Sequence, residues 1–150
     1  MKSLCLLLFS LTCFTLYSCK KNKADNTIVT LAGTRWTISL IVENEATNPP
    51  GANGSNVYYP WLDCNKEDTY TFSDGQLKYD SHGVECSSGR LFEASSEFTY
   101  DLNTKNLTIK SGNLIKTFQG LELTKDRLKL CQPTPLTTTN GYMIYLFKKK

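Results

Sequence analysis

Apolar residues in this chain recur at every second position in short runs, and turn-forming residues separate one run from the next. A period of two places alternate side chains on one face of an extended strand. Trp36, Ile38 and Leu40 share a face in a first strand, Thr69 to Phe72 form a second, and Leu77 with Tyr79 mark a third. Ser73-Asp74-Gly75 joins the last two, and an Asp-Gly step is a strong hairpin signal. Phe98, Tyr100 and Leu102 alternate in a fourth strand, Asn103 to Asn106 turn the chain, and Leu107 with Ile109 define a fifth. Residues 114–123 form a sixth whose parity slips between Phe118 and Leu121, predicting a bulge near Gly120. Leu128 and Leu130 mark a seventh and Tyr142 to Phe147 an eighth, while no stretch beyond residue 30 has a helical period. Eight short strands joined mostly by tight turns describe an antiparallel meander, and closing it on itself removes both exposed edges. The expected fold is an all-β, eight-stranded up-and-down barrel, whose interior is wide enough for side chains or one small ligand. A two-sheet β-sandwich is the alternative if residues 44–66 or 132–140 cross between sheets.

The N-terminus has a different pattern. Lys2 precedes an apolar run from Leu4 to Tyr17, which Lys20, Lys21, Asn22 and Lys23 end abruptly. The run is shorter than the ~20 residues needed to span a bilayer and suits a secretory signal. Leu16-Tyr17-Ser18-Cys19 resembles the bacterial lipobox, with Tyr17 bulkier than the usual residue there. The resemblance implies a signal peptide at 1–18, an acylated tether at 19–30 and a folded domain at 31–150. Several acyl chains on Cys19 exceed what stable membrane anchoring requires. An ordinary signal peptide cut nearby, leaving Cys19 free, is the alternative. Lys20 is not the acidic residue associated with inner-membrane retention, so an outer-membrane anchor is expected. The tether lacks the acid-rich pattern of surface-export signals, which favours the periplasmic face over surface exposure.

Charge excludes one class of partner. Of 17 basic and 14 acidic residues, Lys2, Lys20, Lys21 and Lys23 against Asp25 precede Leu31, so the domain itself is balanced. Its only basic run is Lys148-Lys149-Lys150, and nucleic-acid binding needs a basic face. Cys64 and Cys86 flank one hairpin, and an exported protein meets an oxidising compartment. A disulfide between them is expected, with Cys131 left as a small buried hydrophobe. Zinc is the sharper alternative, but there is no Cys-x-x-Cys pair and His82 is the only histidine. No metal or cofactor is expected.

Leu31-Ala32-Gly33-Thr34-Arg35-Trp36 resembles the opening of bacterial lipocalin-like lipoproteins, in which a Gly precedes a Trp that plugs the closed end of the barrel. The segment from Cys64 to Cys86 is similar to that family's hairpin at Cys64, Lys66, Glu67-Asp68, Phe72, Asp74-Gly75, Gly83 and Cys86, and the ending Tyr142 to Lys150 is similar too. Phe98 stands where the family pattern has a second Trp. The resemblance implies a lipocalin-like barrel, a class that often binds small apolar molecules.

The residues leave function open between two classes. Asp80-Ser81-His82 carries the three triad residue types, but neighbours on one turn do not align as nucleophile, base and orienter, so no enzyme is expected. Glu67-Asp68 reads as a strand-start cap or solvated surface. Residues 48–64 begin as a Pro/Gly/Asn loop and then place Tyr58, Tyr59 and Trp61 around Pro60. Amphipathic rings suit a half-wet mouth, making this trio the candidate ligand-binding group; equally, it caps the core of a filled barrel. The first reading is a lipid-anchored module holding a small apolar or amphipathic molecule. The second is a filled barrel acting as a protein-interaction or structural component of the envelope.

Overall fold

The computed structural model describes residues 29–41, 44–50, 56–60, 62–83, 90–134 and 141–150. Among these residues, nine strands form one sheet: β1 (Thr34–Ile38), β2 (Asn56–Tyr58), β3 (Thr69–Ser73), β4 (Gln76–Asp80), β5 (Ser95–Asp101), β6 (Asn106–Ser111), β7 (Leu114–Leu123), β8 (Arg127–Thr134) and β9 (Gly141–Lys149). All but β2 pair antiparallel in the order β1-β3-β4-β5-β6-β7-β8-β9, and β9 returns to β1, closing the eight-stranded barrel that the alternation implies. The sandwich alternative is set aside by this closure. Regular helix among the described residues is limited to short 3-10 turns at Glu45–Thr47 and Asp63–Asn65.

Local chemistry explains the turns. Asp74 and Gly75 both have positive φ, 50° and 74°, the pair of left-handed residues that a type I′ hairpin demands. The β5–β6 turn is held by Asp101, whose Oδ1 accepts from the backbone N–H groups of Asn103 at 2.8 Å and Thr104 at 3.2 Å. The expected bulge is present: pairing between β7 and β8 shifts between Gly120 and Glu122. A Cβ on Gly120 would lie 2.8 Å from the carbonyl oxygen of Lys105, which receives the Gly120 N–H at 2.7 Å. Only glycine allows that approach.

Three details differ from the sequence reading. β1 ends at Ile38, not Leu40, which is 57% exposed. The chain leaves the wall after Ser39, whose N–H donates to the Leu146 carbonyl, and passes over the outside of β8. Leu102 is likewise exposed, because Asp101 has already begun the turn. The unexpected β2 runs parallel to β9, at Asn56 to Tyr142 through Tyr58 to Ile144. β1 covers β9 only from Phe147 to Lys149, so without β2 the backbone at 142–144 would be an open edge.

Up-and-down connectivity defines two ends. The start of β1, the turns at 73–76, 101–106 and 123–127, and the end of β9 lie at one end. The start of β3, the end of β4, the turn at 111–114 and the start of β9 lie at the other, called the mouth below. Trp36 is fully buried towards the first end, with Nε1 donating to Thr34 Oγ1 at 2.6 Å while the Thr34 hydroxyl donates to the Leu31 carbonyl.

Candidate functional site

Rings fill the barrel. Phe118 stands edge-on to Phe92 at 5.5 Å and to Tyr145 at 5.4 Å. Phe92 meets Tyr70 at 5.5 Å, and Tyr70 meets Phe147 at 5.6 Å and Tyr79 at 5.3 Å. Phe72 and Phe98 form a further edge-on pair at 5.0 Å. Edge-to-face contacts at these spacings are the favourable geometry for aromatic pairs. Hollows of about 290, 310 and 580 Å³ open to the surface, and two smaller cavities among the described residues measure about 60 and 10 Å³. The larger of the two lies on the outer wall, between Ile41, Lys129 and Leu146.

Phe92 was not legible as core. It belongs to the connection between β4 and β5, yet it is 3% exposed and wedged between Tyr70 and Phe118. The signal was its apolar neighbour: Leu91-Phe92 is an apolar pair in otherwise polar sequence, and both are buried.

The mouth gathers the candidate residues. Tyr58 ends β2, and its hydroxyl accepts from Asn48 Nδ2 at 2.6 Å. Tyr59 turns inward, donates its N–H to the Ile144 carbonyl and stacks on Tyr145 at 5.1 Å, extending the aromatic column to the mouth. Tyr58 and Tyr59 therefore make different contacts, one tying down the loop and one covering core. Trp61 lies outside the described residues.

Near Tyr59 is a carboxylate that the sequence left as either a strand-start cap or solvated surface, and it is buried directly before β3. Asp68 is 1% exposed, and its Oδ2 accepts from Asn65 Nδ2 at 2.9 Å and from the Tyr79 hydroxyl at 3.1 Å. Asp68 Oδ1 accepts no hydrogen bond among the described residues. Burial, and secondarily the Asp68 charge, push the hydroxyls of Tyr59 and Tyr70 above the ordinary tyrosine range. Arg90 lies 5.8 Å from the centre of the Tyr79 ring, within cation–π range. Glu67, in contrast, is exposed and pairs with Lys150 at 3.3 Å.

The other candidates separate. Asp80 Oδ1 accepts the His82 N–H at 2.9 Å, and His82 has φ 50°. This is a local turn at the surface, with the His82 side chain 39% exposed. Among the described residues, no group of three or more His, Cys, Asp or Glu side chains is placed to hold a metal ion. Cys131 is a buried free thiol, pushed up to about 11 by desolvation, whereas Cys64 is not a free thiol. Cys19 and Cys86 lie outside the described residues.

A second buried charge sits on the outer wall. Lys129 is 3% exposed, and its Nζ donates to the Asn44 carbonyl at 2.7 Å and to Thr47 Oγ1 at 3.0 Å. Desolvation holds its pKa below the ordinary lysine value. Lys129 thereby fastens the first connection to β8 and fixes the path that leads to Tyr58 and Tyr59.

Comparison with known proteins agrees with this geometry. No curated protein and no solved structure matches the chain. A family model described as a lipocalin-like domain matches residues 31–130, from the buried Leu31 to the Leu130 of β8. The chain belongs to the lipocalin-like domain family.

Proposed function

We propose that the chain is a lipid-anchored, non-catalytic protein of the bacterial envelope, acylated at Cys19 and held at the periplasmic face of the outer membrane. Its barrel serves as an interaction or structural component rather than as a carrier with enclosed cargo. The observation that carries this reading is the aromatic column from Tyr59 through Tyr145, Phe118 and Phe92 to Tyr70, which occupies the space a lipocalin-like cargo would need. A bridge from Cys64 to Cys86 belongs to the same proposal: Cys64 is not free, and Cys131 is. The anchor is tested by acyl labelling, with label expected on the parent and absent from Cys19→Ser. The filled barrel is tested with a panel of lipids, haem and hydrophobic dyes, for which no saturable binding is expected.

One observation favours a second reading. The Oδ1 of Asp68, near Tyr59 and without a hydrogen bond among the described residues, would offer an acceptor to a small amphipathic molecule that enters at the rim. Such binding would shift Trp61 fluorescence saturably, surviving Trp36→Phe and vanishing in Trp61→Phe. That result would replace the filled-platform reading with a ligand-binding one.

A further inference from the structure

The Lys148-Lys149-Lys150 run is not a frayed tail. Lys148 and Lys149 lie within β9, and Lys150 continues the pairing by donating its N–H to the Arg35 carbonyl. Lys148 stands directly across from Arg127 on β8. Like charges facing each other on neighbouring strands are destabilising, so folding alone gives no reason for the pair. Arg127 is compensated by Glu122 at 3.1 Å, and Lys125 lies 3.9 Å from Asp126. Lys148 and Lys149 are exposed and form no ion pair among the described residues. Together, Lys125, Arg127, Lys148 and Lys149 line an open concavity of about 580 Å³, with Asp126 as its one acidic member.

The concavity lies at the end of the barrel where the chain enters. Val29 rests at that end, beside Leu102, Lys105 and Leu123. Nine residues lie between Cys19 and Val29, a span of at most about 35 Å when extended. An acyl group on Cys19 would therefore hold this end near the bilayer, and the mouth would be the far end. Tethering turns a weak second contact into an intramolecular one.

We propose that the cationic concavity formed by Lys125, Arg127, Lys148 and Lys149 docks on the phosphate-bearing headgroups of an anionic lipid surface. The charge of the patch and its position beside the tether both select that occupant. Docking directs the mouth, with Tyr58, Tyr59 and Asp68, away from the membrane. The location of this contact in the cell rests on the anchored reading above, but the binding itself does not.

The test uses an unacylated chain beginning at Lys20, which keeps every described element, and co-sedimentation with vesicles. Vesicles of phosphatidylglycerol mixed with phosphatidylcholine should retain the protein, and pure phosphatidylcholine should not. Retention should fall as ionic strength rises to about 1 M, where screening reaches ~3 Å. The Lys125→Gln, Lys148→Gln, Lys149→Gln triple variant should bind about a hundred-fold more weakly, since each basic residue near such a surface is worth about five-fold. The matching triple Lys→Arg variant should bind as the parent does, which separates charge from damage to the fold. Equal retention by neutral vesicles, unchanged binding of the Gln triple variant, or loss confined to a Lys20, Lys21 and Lys23→Gln tether variant would each overturn the proposal. Failure of acyl labelling at Cys19 would instead count against the anchor and leave this result untouched.

Discussion

Phe92 stands perpendicular to Tyr70, their ring centroids 5.5 Å apart, although Phe92 comes from a connection and Tyr70 from the barrel wall. The interior is thus filled partly by a side chain that no strand supplies. Phe92→Ala should destabilise the protein by about 3–5 kcal/mol, the usual cost of removing a buried ring. Urea unfolding measures the loss. The same variant should gain binding of a small apolar dye that the parent lacks, because the vacated space is lined by Tyr70 and Phe118. A cost below ~1 kcal/mol would mean that the connection does not hold Phe92 inside.

Among the described residues, Asp68 has two donors on one oxygen and none on the other, which makes its substitutions unequal. Asp68→Ala removes the acceptor used by the buried Asn65 Nδ2 and the half-buried Tyr79 hydroxyl, and a buried donor left stranded costs about 1–3 kcal/mol. Asp68→Asn keeps an oxygen for both donors and places an amide where Oδ1 now accepts nothing. Thermal unfolding should therefore rank parent, Asn and Ala in that order, with the larger step between Asn and Ala. Equal losses for both variants would show that charge, rather than acceptor geometry, is what Asp68 contributes.

Alkaline pH should act through the tyrosines. Burial raises Tyr59, Tyr70 and Tyr145 above their ordinary value, Tyr145 to about 12. The unfolded chain releases these protons first, near pH 10, so between about pH 10 and 12 the folded state holds more protons than the unfolded one. Stability is therefore full below pH 10 and falls as pH rises through that window. Tyrosinate absorbance should rise in two phases, the later one coinciding with loss of near-ultraviolet circular dichroism. Tyr145→Phe should move the onset of unfolding to higher pH, and an unchanged onset would exclude Tyr145 as a contributor.

Much of the barrel was legible because its signals are local. The parity of Phe98 and Tyr100, the Asp74-Gly75 turn and the slip at Gly120 each involve neighbours in sequence, and the structure keeps all three. The errors arose where a distant segment decides the environment. Asp68 could be a strand-start cap or solvated surface until Tyr79, across the hairpin, bonds it, and Lys129 sits on the outer, polar side of β8 until Asn44 and Thr47 cover it. β2 was invisible for the same reason: a three-residue strand has no period of its own, and its position follows from the edge that β1 leaves open on β9. Tyr59 could be read as lid or as core cover from sequence, and only its stack on Tyr145 separates the two.

Lys129 provides a test of how the first connection is held. Its ammonium joins two residues more than 80 positions away in sequence, the Asn44 carbonyl and the Thr47 hydroxyl. Lys129→Met keeps the apolar stem and removes both bonds, so the strap should loosen while the barrel stays closed. Hydrogen exchange at Ala46 and Asn48, whose N–H groups are bonded within the strap, should accelerate by about ten-fold or more, the equivalent of ~1.4 kcal/mol. Amides of β5 and β6 should be unaffected. Uniform acceleration across the barrel would instead make Lys129 a determinant of global stability.

The proposed bridge is tested by asking what the turn at Asp63–Asn65 does without it. Cys64 sits in that turn, and the next residue, Asn65, supplies one of the two donors to Asp68. A link to Cys86 would close a loop around the β3–β4 hairpin, worth about 3 kcal/mol through the restriction of the unfolded chain. Non-reducing peptide mapping should find Cys64 joined to Cys86 and Cys131 unmodified. Reduction should lower the unfolding midpoint, and the Cys64→Ala, Cys86→Ala double variant should reproduce that loss and be insensitive to reductant. Because the turn then holds Asn65 less firmly, the double variant should also shrink the penalty of Asp68→Ala, a coupling that a double-mutant cycle measures directly. If the two losses simply add, the bridge acts on the unfolded chain alone, and the mouth carboxylate is positioned without it.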